Sequence, residues 1–211
     1  MNGASMKEWI YGVSLMMPLS TILTLGGCQG MANMILCCGL SGSGKTTFCK
    51  RFVERHPDYI HLNVDNFYRT YNGEQVHENE FEVWITFFNA IHSAALRGKN
   101  VIVDTNALDA FDRIQFIRWF GEFEHHYLYW VYADCWTAKA NNDNRGRVIP
   151  EDEWWHMYHK VEVPDEVADQ DWDAIRYIFN NNSNKYLITK EYDISIGADE
   201  RRREFFARTD K

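Results

Sequence analysis

Apolar positions along the chain fall into short runs separated by longer stretches of helical spacing. Met34-Ile35-Leu36-Cys37-Cys38 is one such run, the pattern of a strand buried on both faces. A glycine- and serine-rich turn follows, then a helical stretch with Phe48 and Phe52 one turn apart. His56-Pro57-Asp58 stops that helix, because proline cannot continue the hydrogen-bond ladder. Tyr59 to Val64 alternates as a second strand ending at Asp65. Glu78 to Leu96 predicts the longest helix, with Phe81, Trp84, Phe88 and Ile91 along one face and Gly98 as terminator. Val101-Ile102-Val103 predicts a third strand closing on Asp104, and Ala110 to Phe120 a helix that turns Phe111, Ile114, Ile117 and Phe120 inward. Tyr127 to Tyr132 reads as a fourth strand and Cys135 to Asn142 as a helix. Pro150 opens a further helix, a favourable place for proline.

Strands alternating with helices predict an α/β fold, a parallel sheet covered by helices on both faces. Beyond Ile178 the pattern weakens. Asn180-Asn181-Asn182-Ser183-Asn184 reads as a loop, Tyr186 to Thr189 as a candidate edge strand, and Asp199 to Lys211 as a charged helix. The expected organisation is therefore an N-terminal extension over 1–32, a catalytic domain over 33–178 and a C-terminal extension over 179–211. Within the first segment, Leu25-Gly26-Gly27-Cys28 resembles a lipoprotein cleavage site after a largely apolar stretch. The lone Lys7 is cancelled by Glu8, and Pro18 interrupts a run too mixed to span a membrane, so a leader or mis-started segment is the expected reading.

Composition narrows the partners. Twenty-two Lys plus Arg against 30 Asp plus Glu give a net charge of −8, which argues against coating nucleic acid through bulk charge but leaves a local basic site open. The 45% apolar fraction is enough for a filled core and excludes a mostly disordered chain. Five cysteines without a regular spacing fit a reducing, cytoplasmic setting rather than a disulfide scaffold.

The turn after the first strand carries the chemistry. Gly39-x4-Gly44-Lys45-Thr46 matches the Walker A spacing, with a strand before it and a helix after it. Gly39, Ser41, Gly42, Ser43 and Gly44 would let backbone N–H groups converge on phosphate oxygens, with Thr47 beside them at the helix start. Lys45 would reach the β- and γ-phosphates, and the Thr46 hydroxyl would serve as the ligand to Mg²⁺. The expected cofactors are thus ATP and Mg²⁺. Asp65 and Asp104, at strand ends beside the loop, should both face it. The third strand continues Asp104-Thr105-Asn106 and lacks the Glu that commonly polarises water in motor-type NTPases. No Asn-Lys-x-Asp guanine reader exists either. Transfer to an acceptor hydroxyl therefore fits better than hydrolysis. Arg145 and Arg147, on a glycine-containing loop, are candidates to close over the triphosphate as a lid.

In these blocks the sequence resembles the P-loop kinases of the bacteriophage polynucleotide kinase group and their zeta-toxin-like relatives, from about Met34 to Ile175. The resemblance implies that Asp65, in Asn63-Val64-Asp65-Asn66-Phe67-Tyr68-Arg69, is the general base. Val101-Ile102-Val103-Asp104-Thr105-Asn106, followed by Arg113, is the more telling block. It implies that Asp104 orders the metal or acceptor side, with Arg69, Asn106 and Arg113 toward the substrate. Asn144-Arg145-Gly146-Arg147-Val148-Ile149-Pro150 looks like the lid. Two departures stand out. Asn141-Asn142 replaces the first lid arginine, and Tyr68 occupies the slot of the arginine that grips the acceptor's phosphate. The implied function is an ATP-dependent kinase whose preferred acceptor is the 5′-hydroxyl of a polynucleotide. A small molecule or nucleotide sugar is the alternative acceptor, and an ATP-binding switch without transfer the alternative from another class.

Other signals read as packing. Asp169, Asp171 and Asp173 alternate like a calcium loop, but Ala174 stands where glycine is needed. His125-His126 and His156-x2-His159 lack a partner ligand cluster, and Trp154-Trp155 reads as covering a core edge.

Overall fold

The structure, a computed structural model, describes residues 32–68, 80–182 and 186–193. Six strands form one sheet: β1 (Asn33–Cys38), β2 (Tyr59–Asn63), β3 (Asn100–Asp104), β4 (His125–Tyr132), β5 (Ala174–Asn180) and β6 (Tyr186–Asp193). Their spatial order is β2-β3-β1-β4-β5-β6. β1 to β5 run parallel, and β6 pairs antiparallel with β5. The helices are α1 (Lys45–Arg55), α2 (Glu80–Leu96), α3 (Ala110–Trp119), α4 (Cys135–Asp143) and α5 (Glu151–His159).

This order follows from the sequence pattern. β1 is apolar on both faces because helices cover both. Met34, Leu36 and Cys38 join Phe87, Phe88 and Ile91 of α2 and Phe116 of α3 on one side. Ile35 and Cys37 meet Cys49, Phe48 and Phe52 of α1 on the other. Each large apolar side chain taken from water contributes roughly 1.5–3 kcal/mol, so the two faces together hold the central strands in register. The chain leaves β1 toward one edge of the sheet and leaves β4 toward the other. A crevice is thereby left at the carboxyl ends of these neighbouring strands, the usual ligand position in such sheets.

Several elements differ from the sequence expectation. β2 stops at Asn63, and Asp65 lies on a short 3-10 turn, Val64–Tyr68, rather than at the strand end. In α3 the buried residues are Arg113, Gln115 and Phe116, with Phe120 buried as expected just past the helix end, while Phe111 is exposed. In α2, Phe88 and Ile91 are buried as expected, but Val83 and Phe87 join them and Trp84 is only partly covered. The pattern of β5 is masked by Arg176 in its middle, and β5 and β6 extend the sheet across position 178. Arg69, the start of the long helix at Glu78, the segment with Leu25 and Cys28, and the charged stretch from Asp199 to Lys211 lie outside the described residues. Among the described residues, no helix is long and apolar enough to cross a membrane.

The shift in α3 has an electrostatic cause. Arg113 is fully buried, and its Nε and Nη2 donate to the two carboxylate oxygens of Asp169 at 2.7 and 2.8 Å. Its Nη1 donates to the carbonyls of Glu162 and Leu108. The guanidinium also lies over the Trp130 ring. Arg113, expected on the substrate side, is instead half of a core ion pair, with its donors engaged internally. Asp169, the first residue of the run that alternates like a calcium loop, is its partner.

Candidate active site

The loop between β1 and α1 is held from behind by its own carbonyls. Lys45 Nζ donates to the oxygens of Gly39 and Leu40 at 2.8 and 3.0 Å. Trp154 Nε1 donates to Ser41, Asn141 Nδ2 to Gly42, Asn180 Nδ2 to Ser43 and the Tyr186 hydroxyl to Gly44, all at 2.9–3.0 Å. Gly39 N donates to Asn106 O, which ties the loop to the segment after β3. With each carbonyl of Gly39 to Gly44 engaged, the peptide planes are fixed, and the amide edge of the loop is left to act as an anion nest beside the N-terminus of α1. Trp154, fully buried, thus serves packing and loop support. Thr47 is exposed at the helix start.

Gly42 shows how tight this cradle is. Its φ is +88°, and a Cβ there would sit 2.0 Å from the backbone oxygen of Ala138 in α4. Gly42→Ala should therefore cost about 2 kcal/mol or more and weaken ATP binding together with stability. Urea unfolding and ATP titration of the variant check this. Loss of neither would show that the loop is not held against α4.

Below the loop lies a buried polar bridge. Asn63 Nδ2 donates to Asp104 Oδ2 at 2.6 Å and to Thr46 Oγ1 at 3.2 Å, while its Oδ1 accepts from Asp65 N at 2.8 Å. His61 Nε2 lies 3.2 Å from the same Asp104 oxygen. One asparagine thus connects the hydroxyl, the strand-end carboxylate and the turn bearing Asp65. A hydroxyl and a buried carboxylate set beside an anion nest are hard oxygen donors of the kind Mg²⁺ takes, so these residues fit the ion that accompanies a nucleotide. Lys45 is buried, and burial lowers its pKa, while the charge of Asp104 acts the other way.

A cavity of about 400 Å³ opens in front of the loop, lined by Lys45, Thr46, Arg51, Arg145, Asn180 and Tyr186 among others. Arg145 Nε in this lining, and Ser43 Oγ in the loop, are buried without a hydrogen-bond partner among the described residues, the state of donors awaiting an anion. Burial lowers the pKa of Arg145, opposed by the nearby Asp65 carboxylate. Arg147 Nη1 donates to Asp65 Oδ1 at 2.8 Å, with both side chains more than half exposed. The Arg147 guanidinium also lies over the ring of Tyr68. The Tyr68 hydroxyl is pushed up to about 12 by burial and by neighbouring Glu80.

The geometry brings Lys45, Thr46, Asp104, Asp65, Arg145 and Arg147 to one side of the sheet, with Asn106 as a backbone tie. Arg113 is not among them. Asn63, His61, Asn180 and Tyr186 carry no site signal in the sequence, and Asn141 is legible there only as a departure from the lid pattern. Asn63 stands two residues before Asp65, but nothing local marks it as the bridge. Asn141, Asn180 and Tyr186 reach the loop from sites about a hundred residues away or more, and no local spacing announces them.

A phosphate-binding loop at the carboxyl end of a parallel sheet, with a strand-end aspartate beside it, defines a P-loop nucleotide-binding protein of the kinase-like type. A family model described as AAA domain matches residues 34–168, more than half of the chain, and the chain belongs to that family. No curated protein sequence matches it. Among solved structures, one from a Pnkp1/Rnl/Hen1 RNA repair complex superposes with a TM-score of 0.56 at 15% identity, covering 72% of this chain and 49% of the other. A sugar kinase from Janibacter sp. gives 0.50 at 15% identity, covering 80% and 89%. Chaetomium thermophilum Kti12 in complex with ADP-AlF3 gives 0.50 at 17% identity, covering 72% and 91%. The chain spans about half the length of the first of these. At such identities the likeness is one of fold.

Proposed function

We propose that the chain is an ATP-dependent kinase that transfers the γ-phosphoryl group to a hydroxyl, with the 5′-hydroxyl of a polynucleotide as preferred acceptor. The observation that carries this reading is the placement of Asp65. It stands on a turn tied through Asn63 to Thr46 and Asp104, and its oxygen is held by Arg147 beside Arg145. A carboxylate at the phosphate loop, backed by two cations, can accept a proton from an incoming hydroxyl while the arginines meet charge on the phosphoryl oxygens.

In this reading Lys45 leaves the carbonyls of Gly39 and Leu40 and turns to the phosphates. Ser43 Oγ and Arg145 Nε gain the acceptors they lack. Thr46 and Asp104 would hold Mg²⁺, directly or through water, and the ion would supply neutralisation of the charge that develops on the phosphoryl group. Arg147 parts from Asp65 as the acceptor enters, at low cost, since an exposed pair of this kind contributes about 0–1 kcal/mol. Thr105 follows Asp104 where a hydrolytic enzyme would carry a water-polarising Glu, which supports transfer over hydrolysis. The setting consistent with this chemistry is the cytoplasm, where ATP is plentiful.

A smaller acceptor is the second reading. It is favoured by Arg113, which lies in the core and cannot grip a strand end, and by Tyr68 in the slot of the phosphate-gripping arginine. Terminally labelled ATP offered in parallel to 5′-hydroxyl DNA, 5′-hydroxyl RNA, nucleosides, sugars and nucleotide sugars separates the two. Label on the oligonucleotides is expected. Label only on a small acceptor would replace the first reading by the second, and ATP binding with no transfer to any acceptor would overturn both.

A further inference from the structure

A second set of donors lies on the α1 side of the sheet, just beneath the Thr46–Asn63–Asp104 bridge. Cys49 Sγ on α1, His61 Nε2 on β2 and a carboxylate oxygen of Asp104 on β3 all lie within 4.8 Å of one another. The nitrogen of His61 and Oδ2 of Asp104 are 3.2 Å apart. Two ligands at about 2.0–2.1 Å from one tetrahedral ion stand about 3.3 Å apart, so this pair already has the separation that a shared ion imposes. The thiol has to close by at most about 1.3 Å, because a sulfur at about 2.3 Å lies about 3.5 Å from such neighbours, against the 4.8 Å limit seen here.

The chemistry of the set differs from that of the nucleotide site. Thr46 and Asp104 offer hard oxygen alone, whereas a thiolate and an imidazole select a softer ion. Cys49 is fully buried, and burial, with a hydrogen bond to the Cys37 thiol, holds its proton on. A metal ion overcomes this by replacing the proton. His61 provides the way in, since it lies on the edge strand β2 with 11% of its side chain exposed.

We propose that Cys49, His61 and Asp104 form a thiol-containing site for Zn²⁺ or a similar thiophilic divalent ion, and that its occupancy withdraws Asp104 from the nucleotide site. On binding, the Cys49 S–H bond breaks, its proton goes to solvent, and the sulfur lone pair joins the metal. His61 binds through the Nε2 lone pair as the neutral ring. Asp104 contributes a carboxylate oxygen, and a water completes the fourth position. One proton is released per ion, so binding weakens as pH falls. The metal site stands on the three donors alone. Only the inhibitory consequence rests on the kinase reading above.

The test titrates the full chain with Co²⁺ alone, without nucleotide, and follows the sulfur-to-cobalt charge-transfer absorption. One Co²⁺ per chain is expected, displaced by Zn²⁺. Cys49→Ala should abolish the charge-transfer band, and His61→Gln should weaken binding tenfold or more. His61 is partly exposed, so its variant carries the test if the buried Cys49 position does not tolerate alanine. Absence of the band in the parent chain, or a band unchanged in both variants, would overturn the site. In a second arm, equimolar Zn²⁺ is expected to suppress phosphoryl transfer by the parent but not by Cys49→Ala. Equal suppression of both would overturn the inhibitory link. Cobalt binding with no transfer to any acceptor, zinc or none, would retain the metal site and remove the kinase reading instead.

Discussion

Lys45→Met should reduce ATP-dependent phosphoryl transfer by about 10³-fold or more while leaving the fold intact. In the structure the ammonium group donates to the carbonyls of Gly39 and Leu40, and its charged form is disfavoured by burial. Methionine keeps much of the length and volume of the side chain and removes a charge that is costly to bury. The thermal midpoint is therefore expected to hold or rise, although two acceptors lose their donor. Transfer behaves differently, because among the described residues no other lysine lines the cavity in front of the loop. Kinetics and calorimetry on one preparation separate the two effects. A variant that lost stability and activity in proportion would mean that Lys45 is a strut for the loop rather than a phosphate ligand.

Arg113→Ala should have the largest effect on stability, about 3–5 kcal/mol. It strands the buried Asp169 carboxylate, takes the guanidinium donor from the Glu162 carbonyl, and removes the contact with Trp130. Against a total of about 5–15 kcal/mol for a typical domain, such a loss leaves a substantial unfolded population. Arg113→Lys should rescue little, since an ammonium cannot supply the paired donors that meet both carboxylate oxygens. Asp169→Ala should cost a similar amount, and the double variant less than the sum of the two, because the second change removes a group already left unpaired. Urea denaturation of the parent, the two alanine variants and the double variant measures this cycle. Additive losses would show that the two residues act separately.

These two residues also mark where the sequence is informative. Lys45 belongs to a contiguous motif whose function depends on local backbone geometry, so a strand, a glycine turn and a helix are enough to find it. Arg113 is harder to place because its role depends on Asp169, which lies in a run that looks like a metal loop and is distant in sequence. The same logic separates Thr46 from Asn63. A hydroxyl after the P-loop lysine is expected from local order, whereas Asn63 becomes a bridge only when β2 and β3 pair in the register Asn63 against Asp104. The helical face of α3 is rotated from expectation for a related reason. Periodicity counts apolar side chains, but a paired arginine fits a core that periodicity assigns to isoleucine. The clamp on the loop carbonyls by Trp154, Asn141, Asn180 and Tyr186 leaves no local trace at all.

The central claim is that Asp65 takes the proton of an acceptor hydroxyl as the phosphoryl group moves. The direct measurement compares the parent chain with Asp65→Asn in single-turnover transfer from labelled ATP to the accepted hydroxyl, alongside ATP affinity. The amide keeps the size of the side chain and cannot serve as the base. Transfer is expected to fall by about 10²–10⁴-fold with ATP affinity unchanged within a few fold. Transfer retained at the parent rate would contradict the account, and the carboxylate held by Arg147 would then be no more than the partner of a surface ion pair.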